Sequence, residues 1–178
     1  MICTIIGGGN GVSKIDSFLG YKIGLNYAYK YVDVDCTVMF DNPARASDLN
    51  PPNLHTLKHW KGDYLYNNVG RQINYNKGEV GNFNVSVIMA VNVAIHLGYT
   101  EIYLVGCENR LDGKHHFYDS NTLKGKEIET QNKCFELTAK MWDEVELQKG
   151  ERLIFVDSNI TRFENITIEE YKKASLNK

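Results

Sequence analysis

The first residues that could do chemistry form a glycine-rich segment near the start of the chain, GGGNGVS at 7–13. Glycine lets backbone approach a ligand closely, and N–H groups in such a loop, at the positive end of a following helix, can bind an anion. The spacing matches neither GxGxxG nor GxxxxGK[ST], and a tight strand-to-helix turn would also need glycine. Four glycines exceed the need of one turn, so the pattern favours a phosphate or nucleotide site. The predicted contacts are Gly8, Gly9, Asn10, Gly11 and Ser13.

Polar side chains follow the next two apolar, strand-like runs. Asn26 comes after KIGL, and Asp41 and Asn42 come after CTVMF. If the strands are parallel, their carboxyl ends meet at the edge of the sheet where ligands bind. Amide and carboxylate groups there can bind a base edge or ribose hydroxyls, so all three residues are predicted to contact a nucleotide. Ordinary turn chemistry before Pro43 explains the Asp-Asn pair equally well, and this alternative stays open.

A third group of candidates follows the apolar run TEIYLVG. Gly106 ends that run, and Glu108 is placed to touch ribose, a metal ion or a leaving group; the alternative is a solvated loop acid. The polar loop at 111–125 then carries His115 and His116. One of these histidines is a candidate general acid or phosphate partner, against the alternative that both are exposed.

The pattern of elements indicates how these residues are positioned. An apolar helical stretch at 83–97, closed by Gly98, leads directly into TEIYLVG, and a longer helix at 126–149 precedes the strand RLIFVDSN. Thr167 is a predicted N-cap for a last helix. Strands that alternate with helices predict an α/β fold, namely a single Rossmann-like domain over 1–178 with a mostly parallel sheet and helices on both faces.

Composition narrows the classes of function. The chain has 178 residues, with 20 Lys and Arg against 22 Asp and Glu, so no large basic field exists for extended nucleic acid. Four cysteines without a CxxC pair predict reduced, buried thiols. We expect a cytoplasmic protein, because no leader or long apolar segment for a membrane span occurs. His55 and His59 lack the HExxH context of a zinc pair, so no metal site is predicted. Whether the chain forms a homo-oligomer is left open.

Several segments resemble a known family. The opening IIGGGNGVSKID resembles the IxAGNGPSLKxID loop of the bacterial α2,3-sialyltransferases that modify lipooligosaccharide, and IGLNYAY and VMFDNP resemble that family's next two strand ends. The stretch from NVSVIMAV through LGYTEIYLVG to HHFYD is similar to its small-residue helix, following strand and aromatic loop. The framework is also similar to a broader Rossmann-like family of motility-accessory glycosyltransferases and archaeal hydroxymethylpterin pyrophosphokinases. The matching segments cover about half of the chain.

The resemblance implies roles for residues named above. The glycine loop would hold a cytidine phosphate, Asn26 and Asn42 would contact nucleotide or sugar, and the 115–118 segment would cover the leaving phosphate. The chain departs from the family pattern at several positions: Val12 replaces a proline, Glu108 an aspartate, and Arg110 a tyrosine that would bind the leaving phosphate. His116 falls where a second such tyrosine lies. The family's catalytic histidine has no counterpart, since the chain has GKE at 125–127 and no histidine after His116.

Three functions follow as hypotheses. The first is a sialyltransferase-like glycosyltransferase that takes a nucleotide-sugar substrate, most specifically a CMP-sugar, and transfers the sugar to an acceptor hydroxyl without a cofactor. Its catalytic candidates are His116, Arg110 and Glu108. The second is a non-catalytic module that binds and sequesters a nucleotide, which the missing histidine favours. The third is an ATP-dependent pyrophosphokinase-like enzyme, which would need Mg²⁺ on Asp41 and Glu108.

Overall fold

The computed structural model describes residues 1–40, 51–56, 64–67, 72–81, 85–110 and 124–176. These residues form an α/β structure with one large parallel sheet and one small one. The strands are β1 (Ile2–Ile6), β2 (Tyr21–Leu25), β3 (Cys36–Val38), β4 (Leu54–His55), β5 (Leu65–Asn67), β6 (Glu79–Gly81), β7 (Glu101–Val105), β8 (Arg152–Val156) and β9 (Glu164–Ile166). The α-helices are α1 (Ser86–His96), α2 (Lys126–Glu144) and α3 (Ile168–Leu176).

The large sheet has seven strands in the order β4-β3-β2-β1-β7-β8-β9, and every neighbouring pair is parallel. Strands β5 and β6 form a separate parallel pair. The chain winds outward from β1 in one direction and then, from β7, in the other. Strand order therefore reverses between β1 and β7, which is the point where doubly wound sheets bind ligands. The predicted Rossmann-like α/β class is confirmed.

Helices cover both faces of the sheet. Successive strand residues point to opposite faces, and β1 illustrates the division: Ile5 belongs to an apolar cluster with α1 and with Trp142 of α2. Ile6 belongs to a second cluster on the other face, together with Tyr171 of α3. Both faces are buried along the central strands, as expected where helices pack on each side of a parallel sheet.

Local predictions held at the chain's end and failed along α2. Thr167 caps α3 as predicted: its Oγ1 accepts from the Glu170 amide at 3.2 Å, and the Glu170 carboxylate accepts from the Thr167 amide at 2.7 Å. Helix α2 ends at Glu144 rather than at 149, because Val145 takes an extended conformation. Leu137 of this helix is 55% exposed, so not all of the apolar residues of α2 face the core.

Two further expectations concern the cysteines and membrane spans. All four cysteines are free thiols, and Cys3 and Cys36 are buried as predicted. Cys134 lies exposed on α2, so the prediction that every thiol is buried is wrong there. In the part of the chain that the structure describes, no helix is long and apolar enough to cross a membrane.

Candidate functional site

The glycine loop after β1 packs directly against the loop after β7. The Gly7 amide donates to the Val105 carbonyl and the Gly9 amide to the Gly106 carbonyl, each at 2.8 Å. A Cβ on Gly7 would overlap the Gly106 carbonyl oxygen, and Gly106 itself has a φ of +70°. Glycine is therefore required here because two backbones touch. Close packing of the loops explains these glycines without a ligand.

Glu108 occupies the space above the rest of the glycine loop. Its side chain is only 6% exposed, and its Oε1 accepts a hydrogen bond from the Gly11 amide at 2.5 Å. A Cβ on Gly9 would overlap Oε2, and a Cβ on Gly11 would overlap Oε1. The alternative that Glu108 is a solvated loop acid is wrong. The carboxylate is instead the group for which the loop makes room.

Burial also affects the ionisation of the residues that follow β7. It raises the pKa of Glu108, while the Gly11 amide and the nearby Arg110 charge act in the opposite direction. Burial likewise raises the pKa of the Cys107 thiol well above its usual range. Cys107 is therefore a thiol at neutral pH and not a nucleophilic thiolate.

The helix expected after the glycine loop is only a five-residue 3-10 helix, Asn10–Lys14. So short a helix adds little of the macrodipole that favours anions at longer helix N-termini. Ser13 donates from its hydroxyl to the Asn10 carbonyl at 2.8 Å. Ser13 lines a separate cavity, beside Asp16 and Tyr31. The structure therefore does not bring Ser13 together with Gly8 and Gly9.

A cavity of about 190 Å³ opens where the strand order reverses. One wall is polar and consists of the glycine loop at 7–9 and the loop at 106–110. The other wall is mostly apolar. It consists of Leu25 from β2, Val85 and Val87 from the start of α1, and Phe135 and Trp142 from α2. Gln131 and Thr138 add polar groups on the α2 side. The cavity can thus hydrogen-bond a ligand on one side and pack against its apolar part on the other.

Arg110 is fixed at the cavity by a residue that sequence reasoning missed. Its guanidinium donates to the Asp157 carboxylate at 2.8 Å and to the Asp157 carbonyl at 2.9 Å. Asp157 follows β8 and has a φ of +54°. Polar residues at the ends of parallel strands converge, and this rule was applied above to Asn26. Applied to β8, the same rule would have identified Asp157.

Asn109 connects the same loop to α2. Its side-chain amide donates to the Phe135 carbonyl at 3.0 Å, and its own φ is +55°. This bond holds the middle of α2 near the polar wall. Phe135, Gln131 and Asn109 were not predicted as site residues, because no pattern in the sequence indicates which turn of a mostly exposed helix faces a cavity.

Asn26 follows Leu25 at the end of β2, as predicted, and adopts a φ of +50°. Its Oδ1 is buried and has no hydrogen-bond partner among the residues described. A buried amide oxygen without a partner is costly, which makes it a candidate to accept a bond from a ligand.

The predicted residues Asn10, Gly11 and Asn26 do not line the cavity; Asn10 and Gly11 belong to the short 3-10 helix. The other predicted residues divide into two groups. Gly8, Gly9, Gly106, Glu108 and Arg110 share the cavity. Asp41, Asn42 and His116 lie outside the described residues, so their predicted roles stay predictions. Within the described ranges, no group of three His, Cys, Asp or Glu is arranged to hold a metal ion.

Family models give no match to the chain, and no curated protein or solved structure matches it significantly. Function is therefore inferred from the geometry of the site and from the motifs of the sequence.

Proposed function

We propose that the chain binds a nucleotide, or the nucleotide part of a nucleotide-sugar, in the cavity between β1 and β7. The observation that carries the proposal is the composition of this cavity: a polar wall of backbone, Glu108 and Arg110 faces an apolar wall that includes the Phe135 ring. A nucleoside has the same two surfaces, a flat ring with apolar faces and a ribose with hydroxyl groups. The position at the reversal of strand order is where parallel α/β sheets bind such ligands.

We assign the parts of the proposed ligand from the size of the cavity. Its volume of about 190 Å³ is below the roughly 300–1,000 Å³ of pockets that enclose drug-sized molecules. The nucleoside part fills it, and phosphates extend outside. Arg110 lies at the cavity, and its guanidinium donates two hydrogen bonds to Asp157. The other N–H groups of the guanidinium can reach a phosphate.

The apolar wall provides a stacking surface. A base that lies on the Phe135 ring gains about 1–3 kcal/mol by analogy with aromatic stacking of bases in other proteins. The Gln131 side chain has both a donor and an acceptor, so it can bind a base edge beside that ring.

The activity that we propose is transfer of a sugar from its nucleotide to an acceptor hydroxyl, and it rests on the resemblance to the sialyltransferases. The bond between the sugar carbon and the phosphate oxygen breaks, and a bond to the acceptor oxygen forms. The nucleotide leaves as a phosphate whose charge Arg110 and His116 stabilise. The acceptor proton passes to a base that the described residues do not identify.

A thermal-shift screen tests binding. Cytidine, CMP, a CMP-sugar, and ATP with Mg²⁺ are added separately to the full chain. A ligand at 100 times its Kd adds about 2.7 kcal/mol of stability. Stabilisation by cytidine compounds supports the proposal. A response to ATP with Mg²⁺ alone would favour pyrophosphoryl transfer instead, and no response to any of them would reject nucleotide binding.

A matched pair of variants on α2 locates the site. Phe135→Ala removes the stacking ring and is expected to weaken cytidine binding at least tenfold. Leu137→Ala, on the exposed outer side of the same helix, is expected to bind as the wild type does. Equal affinities of the two variants for cytidine, measured by titration calorimetry, would remove this cavity from the binding site.

A further inference from the structure

We propose that Glu108 is the specificity-determining residue of this site: it excludes phosphate from the glycine loop and turns the ribose hydroxyls of the ligand toward the loop. The identity of the ligand rests on the proposed function, but the exclusion of phosphate rests on Glu108 and the loop alone. Glycine-rich loops after a first strand bind phosphate in other folds, and in this chain the loop holds a carboxylate of its own.

The first support is steric. The Glu108 carboxylate accepts a hydrogen bond from the Gly11 amide at 2.5 Å, which uses one of the loop N–H groups that could bind a phosphate. The amides of Gly7 and Gly9 donate hydrogen bonds to the carbonyls of Val105 and Gly106, at the end of β7. The absent side chains of Gly9 and Gly11 leave the space that Glu108 occupies, because a Cβ at either position would overlap its carboxylate oxygens.

The second support is electrostatic. Arg110, the cation nearest in sequence, pairs with Asp157 at 2.8 Å. Within the described part of the chain, Glu108 has no ion pair of its own. A phosphate placed on the loop would therefore meet a buried carboxylate that Arg110 attracts but does not ion-pair, and repulsion between like charges is strong where water is excluded.

The same carboxylate suits a ribose. An ionised carboxylate only accepts hydrogen bonds and has about four lone-pair positions, of which the Gly11 amide uses one. The two ring hydroxyls of a ribose are donors that can use others, and Glu108 lines the cavity from which a nucleoside would approach. The ligand thus enters with its diol toward the loop and its phosphate toward Arg110.

Two variants separate charge from shape. Glu108→Gln keeps the size of the side chain and an acceptor for the Gly11 amide but removes the charge. Glu108→Ala removes the carboxylate altogether. Glu136→Gln, at an exposed acid of α2 that does not line the cavity, has the same change of net charge and is the control. Circular dichroism checks that each variant is folded, and Glu108→Gln keeps the test valid if Glu108→Ala does not fold.

Titration calorimetry with inorganic phosphate and with cytidine gives the readout. The wild type and Glu136→Gln are expected to bind cytidine but no phosphate at millimolar concentration. Glu108→Ala is expected to gain phosphate binding by tenfold or more and to lose cytidine affinity by about tenfold. Glu108→Gln keeps the shape and the acceptor for the Gly11 amide, so it is expected to gain phosphate binding to a smaller extent, through the loss of charge alone. A merely structural Glu108 would not change the ratio of the two affinities in this direction.

Two outcomes would overturn the inference: phosphate binding by the wild type as tight as by Glu108→Gln, or an unchanged ratio in both variants. If the wild type binds no cytidine but Glu108→Gln gains phosphate binding, the proposed function fails while the exclusion of phosphate by Glu108 is supported. The two failures are therefore distinguishable.

Discussion

Two buried polar clusters in this molecule differ in how completely their hydrogen bonds are satisfied. The first surrounds Asn92, which is 0% exposed in the middle of α1. Its Oδ1 accepts from the amides of Asn74 and Gly81 at 2.9 and 3.1 Å, and its Nδ2 donates to the Asn74 carbonyl at 2.7 Å. Nδ2 also lies 3.1 Å from the ring nitrogen of His96. That ring nitrogen also lies 2.7 Å from the Glu79 carbonyl, which can only accept, so it donates there and cannot accept from Nδ2. Three of the four hydrogen-bonding positions of the Asn92 amide are used, including both lone pairs of its oxygen.

The second cluster lies at the carboxyl edge of the sheet and is not satisfied in this way. Glu108 is a buried acid without an ion pair in the described residues, and the Oδ1 of Asn26 is buried without a partner there. Asn26, Asn109 and Asp157 all have positive φ after parallel strands. Proteins keep such costly features mainly where a ligand or a reaction uses them. The difference teaches that the Asn92 cluster builds the fold, whereas Glu108 and Asn26 keep hydrogen-bonding capacity that the described residues do not use.

The largest expected effect comes from breaking the satisfied cluster. Asn92→Ala leaves the amides of Asn74 and Gly81 buried without an acceptor, and each such group costs about 1–3 kcal/mol. We expect a loss of at least that size in the free energy of unfolding, measured in urea. Asn132→Ala, at an exposed position of α2, is the control and should stay within about 0.5 kcal/mol of the wild type. Equal stability of the two variants would show that Asn92 does not tie α1 to its neighbours.

The sequence predicts the parts of this molecule that depend on nearby residues. Thr167 and Glu170 are three residues apart and form their cap as predicted, and the strand ends that carry Asn26 and Glu108 follow from short apolar runs. The pairing of Glu108 with Gly11 spans 97 residues, and that of Arg110 with Asp157 spans 47. No local pattern encodes either contact, so the occupied glycine loop could not be foreseen.

The orientation of α2 was unpredictable for a related reason. Its apolar residues occur on more than one side, and only Trp142 among them is buried. Periodicity places a helix on a core when one apolar stripe dominates. Where a helix borders a cavity, tertiary contacts such as the bond from Asn109 to the Phe135 carbonyl decide which residues face inward.

An intermediate effect is expected from pH at Glu108. Burial raises the pKa of this carboxyl above its ordinary value of 4.5. For an acid with a raised folded-state pKa, the stabilising contribution is complete below the unfolded pKa and is lost as pH rises through the folded pKa. Wild-type stability should therefore fall relative to Glu108→Gln as pH rises from about 4.5. The variant should melt higher than the wild type at pH 7 and show no advantage at pH 4.

Parallel melting curves across this range provide the measurement, with Glu136→Gln as the exposed control. A constant difference in Tm between wild type and Glu108→Gln would mean that Glu108 has the same pKa folded and unfolded. Such a result would remove one of the contrasts between the two clusters, because Glu108 would then carry no cost of burial.

The smallest expected effect on stability, with the sharpest consequence for binding, is at Asn26. Its φ of +50° suits glycine better than asparagine, and Asn26→Gly also removes the buried oxygen that has no partner. The greater freedom of glycine in the unfolded chain offsets part of this gain. We expect the variant to be as stable as the wild type or more stable by up to about 0.5 kcal/mol, and to bind cytidine more weakly if the oxygen accepts a bond from the ligand.

Asn53→Gly is the matched control: Asn53 also has a positive φ, of +39°, but it is exposed and donates to the Asp35 carbonyl. Asn53→Gly should remove the hydrogen bond to Asp35 and leave the affinity for cytidine unchanged. A stability loss at Asn26 as large as that of Asn92→Ala, with unchanged cytidine affinity, would place Asn26 with the structural cluster rather than with Glu108.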